Sequence, residues 1–277
     1  MISIPTLTLA DGTTFAELGF GTYGLRGTDG TDAIVSAIQA GYRLLDSAVN
    51  YENESEVGEA VRRSGLERDE LIVTTKIPGR DHGYDETRRS ARESLDRLGL
   101  DRIDLYLIHW PNPSVDKYVD TWRAMIDLRA EGLVRSIGVS NFTEAMLDRL
   151  HAETGVTPVV NQVELHPYFP QASLRAYHAE HGIHTESWSP LARRSELLNE
   201  SVITDLAEQL GVSPTQVVLR WHVQIGSTPI PKSGHAGRQR ENADVFGFSL
   251  SDEQVEAISA LERGRLWDGD PNTHEEM

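Results

Sequence analysis

Eight short apolar runs recur along this 277-residue chain, and they leave few folds open. They are ELGFG (17–21), YRLLD (42–46), LIVTTK (71–76), IDLYLIH (103–109), VRSIGVSN (134–141), PVVNQ (158–162), IHTESW (183–188) and STPIPK (227–232). Most begin 24–32 residues after the one before, with one longer final step. Between them lie stretches of helical periodicity, among them TDAIVSAIQAG (31–41), DETRRSARESLDRLG (85–99), VDKYVDTWRAMIDLRAEG (115–132), VITDLAEQLG (202–211) and PTQVVLRWHVQIG (214–226). Strands alternating with helices predict repeated βα units. Nearly unbroken apolar runs suit parallel strands buried on both faces. A closed (β/α)8 TIM barrel is the expected fold, with a doubly wound open sheet as its rival. Residues 2–15 alternate apolar and polar about Asp11-Gly12, predicting a β-hairpin that could cap one end of the barrel.

Length alone could suggest two domains, but barrels of about 250 residues are single domains. No Pro/Gly/Ser linker, low-complexity tract or repeat divides the chain, so 1–277 reads as one domain. The opening MISIPTLTLADG has no basic or apolar signal region, and no run approaches the roughly 18 residues that span a bilayer. A soluble, cytoplasmic protein is expected. The absence of cysteine excludes disulfides, thiolate nucleophiles and Cys-ligated zinc. A net charge of −17 disfavours nucleic acid and anionic membranes as partners. An anionic ligand would need a local basic site, and only three lysines exist: Lys76, Lys117 and Lys232.

The residues that end the runs are the strongest chemical signal. They are Asp46, Lys76, His109, Ser140 with Asn141, Gln162, Trp188 and Lys232. In a (β/α)8 barrel all such ends open onto one face, where active sites are built. Solvent approach explains one or two polar ends. It does not explain a histidine, two of three lysines and two amides placed alike.

The segments LLDSAVNYENESEVGEAV, LIVTTKI, DLYLIHWP, GLVRSIGVSNF, VVNQVELHPYFPQ, WSPLA and IPKS resemble aldo-keto reductase signatures, in that family's order and through essentially the whole chain. The length and the ending RLWDGDP resemble the family's bacterial reductases of diketo-sugar acids. The resemblance implies an NADPH-dependent carbonyl reductase with the tetrad Asp46, Tyr51, Lys76 and His109. Tyr51 would donate the proton, Lys76 would ease its loss, Asp46 would hold Lys76, and His109 would polarise the carbonyl oxygen. Ser140, Asn141 and Gln162 would bond the nicotinamide carboxamide while Trp188 stacks on the ring. Ser189 and Leu191 would line the pyrophosphate path. Lys232, Ser233 and Arg238 would hold the adenosine 2′-phosphate, with Glu241 and Asn242 near the adenine. Tyr23, Asn50, His109 and Trp110 would line the substrate pocket, joined by Trp267 from the C-terminal segment. The implied substrate is 2,5-diketo-D-gluconate, reduced to 2-keto-L-gulonate, with methylglyoxal and small aldehydes as further candidates. The implied state is a monomer.

The chain departs from the family at His235, where many relatives carry Arg, and at Val49-Asn50, where bulkier pairs are common. Two other motifs compete. GFGTYG (19–24) spells G-x-G-x-x-G, but the acid that a dinucleotide fold needs is Asp46, already engaged. His178, His181 and His184 are spaced by three, yet fit a solvated helix terminus and the next strand better than a metal site. Two other functions stay open: a Schiff-base aldolase using Lys76 as nucleophile, and a non-catalytic NADPH-binding protein.

Overall fold

The structure, a computed structural model, describes residues 2–276. It opens on an antiparallel hairpin of β1 (Thr6–Thr8) and β2 (Thr14–Ala16), in which Thr6 pairs with Ala16. Eight parallel strands follow: β3 (Phe20–Gly21), β4 (Leu44–Asp46), β5 (Ile72–Ile77), β6 (Ile103–Ile108), β7 (Val134–Ser140), β8 (Val160–Glu164), β9 (His184–Trp188) and β10 (Ser227–Pro229). Their order in the sheet is their order in the chain. A doubly wound sheet would reverse direction at an internal strand. Two hydrogen bonds close the ring, from Gly19 N–H to the Pro229 carbonyl (3.0 Å) and from Gly21 N–H to that of Pro231 (3.1 Å). At this seam a Cβ on Gly19 would lie 2.3 Å from Ile230 Cδ1 and 2.9 Å from Leu44 Cδ2, so a larger residue would force those side chains to shift where the first strand meets the last. The barrel expectation holds and the open-sheet rival falls.

Among the described residues ten α-helices connect and cover the strands: α1 (Gly27–Ala40), α2 (Glu54–Arg63), α3 (Tyr84–Leu98), α4 (Tyr118–Ala130), α5 (Glu144–Thr154), α6 (Ala172–Glu180), α7 (Ser201–Leu210), α8 (Pro214–Gln224), α9 (Ala236–Ala243) and α10 (Asp252–Ser259). Helix α3 shows the logic. Ala91, Leu95 and Leu98 fall four and three residues apart and are buried, and Gly99 ends the helix in the left-handed region at φ 63°. Helix α8 starts on Ser213, whose side chain accepts from Gln216 N–H while Gln216 bonds back, with Pro214 at the first helical position. Outward-facing strand residues such as Val73, Tyr106 and Ile137 join the helices in one apolar layer.

The hairpin closes the bottom of the barrel. Leu9, Phe15 and Ala16 pack against the inward-facing Leu44, Leu105, Leu107, Val160 and Ile230. Each such fully buried Leu or Phe contributes roughly 1.5–3 kcal/mol. Polar bonds lock the hairpin in place: Thr13 Oγ1 lies 2.9 Å from Ser136 Oγ, which donates to Asp11 Oδ2 at 2.7 Å. With the lower half filled by hydrocarbon, the polar residues of the upper half face only the opposite mouth.

Two readings need correction. Strand β8 runs two residues past Gln162, to Glu164, so Gln162 lies inside the barrel and not at a strand terminus. Of the histidine trio, His181 is exposed at the end of α6 and His184 lies on β9, as expected, but His178 is not solvated. His178 is buried, and its ring nitrogens meet Asn161 Nδ2 (3.0 Å) and Thr185 Oγ1 (2.9 Å), tying α6 to β8 and β9. Among the described residues no cluster of three or more His, Asp or Glu is placed to hold a metal.

Candidate active site

Asp46 ends β4 and Lys76 is the penultimate residue of β5, so both project from neighbouring strands at the barrel mouth. Lys76 is fully buried, and Nζ donates to Asp46 Oδ1 (2.6 Å), the Ser47 carbonyl (2.9 Å) and Tyr51 Oη (3.4 Å). Three partners use all three N–H bonds of an ammonium. Burial pulls the Lys76 pKa down, but the Asp46 carboxylate and Tyr51 outweigh it and hold the amine above its usual value. Lys76 is therefore a fixed cation.

Tyr51 lies on a 3-10 turn (Val49–Tyr51) that follows β4 by two residues. Burial pushes its phenol up to about 12, while Lys76 pulls it down. The sequence expectation was an eased phenol, and the balance here keeps the proton on at neutral pH, with Lys76 lowering the barrier to its release. His109 follows β6 directly, its ring centroid 5.9 Å from that of Tyr51 in an edge-on arrangement. Tyr23, which is exposed, also stands edge-on to Tyr51, at 5.2 Å.

Beneath this group lies a carboxyl that the sequence reading missed. Glu186 on β9 is fully buried. Its Oε2 accepts from Gln162 Nε2 (2.7 Å), whose N–H₂ also reaches Asp46 Oδ1 (2.9 Å). Glu186 Oε1 has no hydrogen-bond partner among the described residues. Burial first, and then the Asp46 charge, push its pKa up to about 8, against the opposing pull of Gln162 and Lys76. Strand alternation could have found it, since Glu186 and Trp188 share one face of β9.

This raised value fixes a pH dependence. The native state binds the Glu186 proton more tightly than the unfolded chain does, so the associated stability is fully present below about pH 4.5 and is lost as pH rises through about 8. The loss amounts to a few kcal/mol at most. Glu186→Gln keeps an acceptor for Gln162 and removes the titration. Urea unfolding from pH 5 to 8.5 should show the variant's stability falling less steeply than wild type. Parallel slopes would assign the Glu186 proton elsewhere in the cluster.

The remaining strand-end residues are held by one another. Ser140 Oγ donates to the Gln162 carbonyl (2.8 Å), Asn141 Nδ2 donates to the His109 carbonyl (3.0 Å), and Trp188 Nε1 donates to Asn141 Oδ1 (2.8 Å). Asn141 and Ser189 adopt left-handed backbone at φ 64° and 49°, conformations that cost energy and gather at functional sites. Leu191 is half-buried just beyond. Lys232 and Arg238 are exposed, and among the described residues neither has an ion-pair partner. Two unpaired cations in a chain of net charge −17 form the kind of basic spot a phosphate needs. Ser233 Oγ accepts from His235 N–H (3.1 Å), Glu241 is exposed on α9, and Asn242 is buried there.

The rim is aromatic. Trp110 lies 6.5 Å from Trp188, and Trp188 lies 5.6 Å from Trp267, so the C-terminal segment does reach the mouth. That segment is pinned where the buried Glu164 accepts from Leu266 N–H (2.8 Å) and pairs with Arg265 (3.4 Å). Its end carries a second residue the sequence did not reveal. Glu276 Oε1 accepts from Asn50 Nδ2 at 2.6 Å and lies 2.8 Å from His109 Nδ1. GFGTYG forms β3 and the loop after it, where Thr22 Oγ1 and N–H both donate to the Asp46 carbonyl.

Residues 17–263 match the aldo/keto reductase family, and the chain belongs to it. It is accordingly an NADPH-dependent oxidoreductase, and the aldolase and non-catalytic readings are not favoured. Among relatives, 2,5-diketo-D-gluconic acid reductase B of Corynebacterium sp. (strain SHS752001) is 73% identical, with both chains fully covered. The methylglyoxal reductase DkgA of Escherichia coli (strain K12) is 44% identical over 98% of each chain. Of solved structures, a Gox0644 variant in complex with NADPH superimposes with a TM-score of 0.94 at 41% identity, over 99% of each chain. No helix of the described chain is long and apolar enough to cross a membrane.

Proposed function

We propose that this chain reduces 2,5-diketo-D-gluconate at one carbonyl to 2-keto-L-gulonate, and accepts methylglyoxal and small aldehydes at the same site. The observation that carries the chemistry is the buried Lys76 ammonium held between Asp46 Oδ1 and Tyr51 Oη at the barrel mouth. The substrate is supported by the 73% identical reductase of that name, and the wider range by the 44% identical methylglyoxal reductase. An acidic chain of net charge −17 supports a monomer through repulsion between copies, and we place it in the cytoplasm.

In this reading NADPH, when bound, supplies the hydride for the carbonyl carbon. Tyr51 gives its hydroxyl proton to the carbonyl oxygen, and Lys76 stabilises the phenolate left behind. His109 donates a hydrogen bond to the same oxygen as negative charge develops there. Asp46 keeps Lys76 charged and in register. Ser140, Asn141, Gln162 and Trp188 would hold the nicotinamide, and Ser189 and Leu191 the pyrophosphate. Glu241 and Asn242 would lie by the adenine, and Lys232, Ser233 and Arg238 would hold the 2′-phosphate. Tyr23, Asn50, Trp110 and Trp267 shape the substrate side.

The test is NADPH consumption with 2,5-diketo-D-gluconate, methylglyoxal and an aromatic aldehyde, alongside fluorescence titration of cofactor binding. Turnover on the diketo acid at the highest kcat/KM is expected, and none on any carbonyl would end the proposal. A charge-assisted contact is worth about 1.5–3 kcal/mol. Lys232→Gly or Arg238→Ala should therefore weaken NADPH by roughly 10- to 150-fold and leave NADH little changed. Equal losses for both cofactors would make these residues structural.

A further inference from the structure

The C-terminal segment places a carboxylate against two side chains that the proposed mechanism assigns to the substrate. Glu276 Oε1 accepts from Asn50 Nδ2 (2.6 Å) and lies 2.8 Å from His109 Nδ1, so it meets two of the polar groups assigned to the substrate. The tail is guided there. Asn112 Nδ2 donates to the Glu276 carbonyl, Glu276 N–H donates back to Asn112 Oδ1 (3.4 Å), and Ser114 N–H donates to Glu275 Oε1 (2.8 Å). His274 rests on Trp110 with ring centroids 4.1 Å apart. The fit is incomplete, because Glu276 Oε2 is buried without a hydrogen-bond partner among the described residues. A buried carboxylate oxygen left unbonded weakens the closed arrangement and makes it displaceable.

We propose that Glu276 is a tethered competitor of the substrate, its carboxylate occupying the oxygen site formed by His109 and Asn50 until a substrate oxygen displaces it. The inference rests on the assignment of those two side chains to the substrate. It makes Glu276 a determinant of apparent affinity, because only the fraction of molecules with the tail lifted is competent to bind. The chemical step begins after the carboxylate has left. Glu276 therefore acts on KM and not on kcat.

Two variants test this by different routes. Glu276→Ala removes the competing group. Gly79→Ala leaves Glu276 intact but puts a Cβ 2.0 Å from the Glu276 carbonyl oxygen and from Asn112 Nδ2, which expels the tail. The Gly79 backbone is not left-handed, so alanine brings no conformational strain. Both variants should lower KM by roughly 5- to 50-fold, by a similar factor for 2,5-diketo-D-gluconate and methylglyoxal, at unchanged kcat. Benzoate, a carboxylate that cannot be reduced, should bind both variants more tightly than wild type by that factor, read by quenching of the rim tryptophans. Unchanged or raised KM together with unchanged or weaker benzoate binding, in variants that melt like wild type, would overturn the proposal. It would mean that the tail builds the pocket. Should every form fail to reduce any carbonyl, the functional reading falls, and benzoate binding alone decides for or against the competitor.

Discussion

Tyr51→Phe is expected to bind NADPH as wild type does and to lose roughly 10²- to 10⁴-fold in kcat. The substitution deletes one oxygen. The Tyr51 ring keeps its edge-on neighbours Tyr23 and His109 and its place under the Lys76 ammonium, 4.9 Å from the ring centroid. Lys76 loses only its longest contact, at 3.4 Å, and keeps Asp46 and the Ser47 carbonyl. The ion pair therefore survives, and the melting temperature should barely move. What goes is the proposed proton donor. His109 could deliver a proton to the same oxygen, and its partial rescue sets the lower end of the range. Stopped-flow measurement of NADPH oxidation, with cofactor affinity titrated separately, distinguishes chemistry from binding. Turnover within about threefold of wild type would remove Tyr51 from the mechanism.

The fold was legible because its signals are local. Each barrel strand lies on an apolar run visible in the chain, though its ends do not always match the run's, as at β8, and the hairpin is marked by Asp11-Gly12. Strand ends in a (β/α)8 barrel converge, so Asp46, Lys76 and His109 could be nominated from the places where their runs stop. Tyr51 could not, because it sits on a turn, and only the family resemblance singled it out. Helices α2, α5, α6, α9 and α10 lie beyond those that apolar periodicity marked out. Helix α9, AGRQRENA, offers only its terminal alanines as apolar side chains, so its position depends on packing against α1.

Glu186 and Glu276 escaped for different reasons. Glu186 lies inside an apolar run, where a charged residue reads as an interruption. Its role as the second carboxyl on Gln162 depends on β8 and β9 pairing Gln162 with Glu186. Glu276 contacts Asn50 across 226 residues and Asn112 across 164, and no periodicity or motif encodes where a C-terminal tail comes to rest. Both belong to the interior of the site and not to its scaffold. Local pattern fixes the scaffold, while the network inside it is set by tertiary geometry.

Lys76→Met should nearly abolish turnover and also destabilise the protein, by about 3–5 kcal/mol near neutral pH. Methionine matches the length of the lysine stem and fills the same space, so the loss is electrical and not steric. With the ammonium gone, Asp46 keeps the Gln162 amide (2.9 Å) but remains an anion in a buried site. Glu186 shares that amide, leaving two buried carboxyls with no cation between them. Glu186 already carries its proton near neutral pH, so one uncompensated charge remains in the cluster, and burial without a cation favours uptake of a second proton. The folded variant would then bind this second proton more tightly than its unfolded chain does. Stability arising from that proton is present at low pH and lost as pH rises. The deficit relative to wild type should thus be small near pH 5 and widen towards pH 8, as measured by urea unfolding. Activity must be assayed at a pH where the variant is folded. There, the loss of turnover should persist, since Tyr51 has lost the cation that eases release of its proton. A folded Lys76→Met enzyme with near wild-type kcat would refute the role proposed for Lys76, and an aldolase reading with it. A deficit independent of pH would show that the buried carboxyls do not share the charge as described.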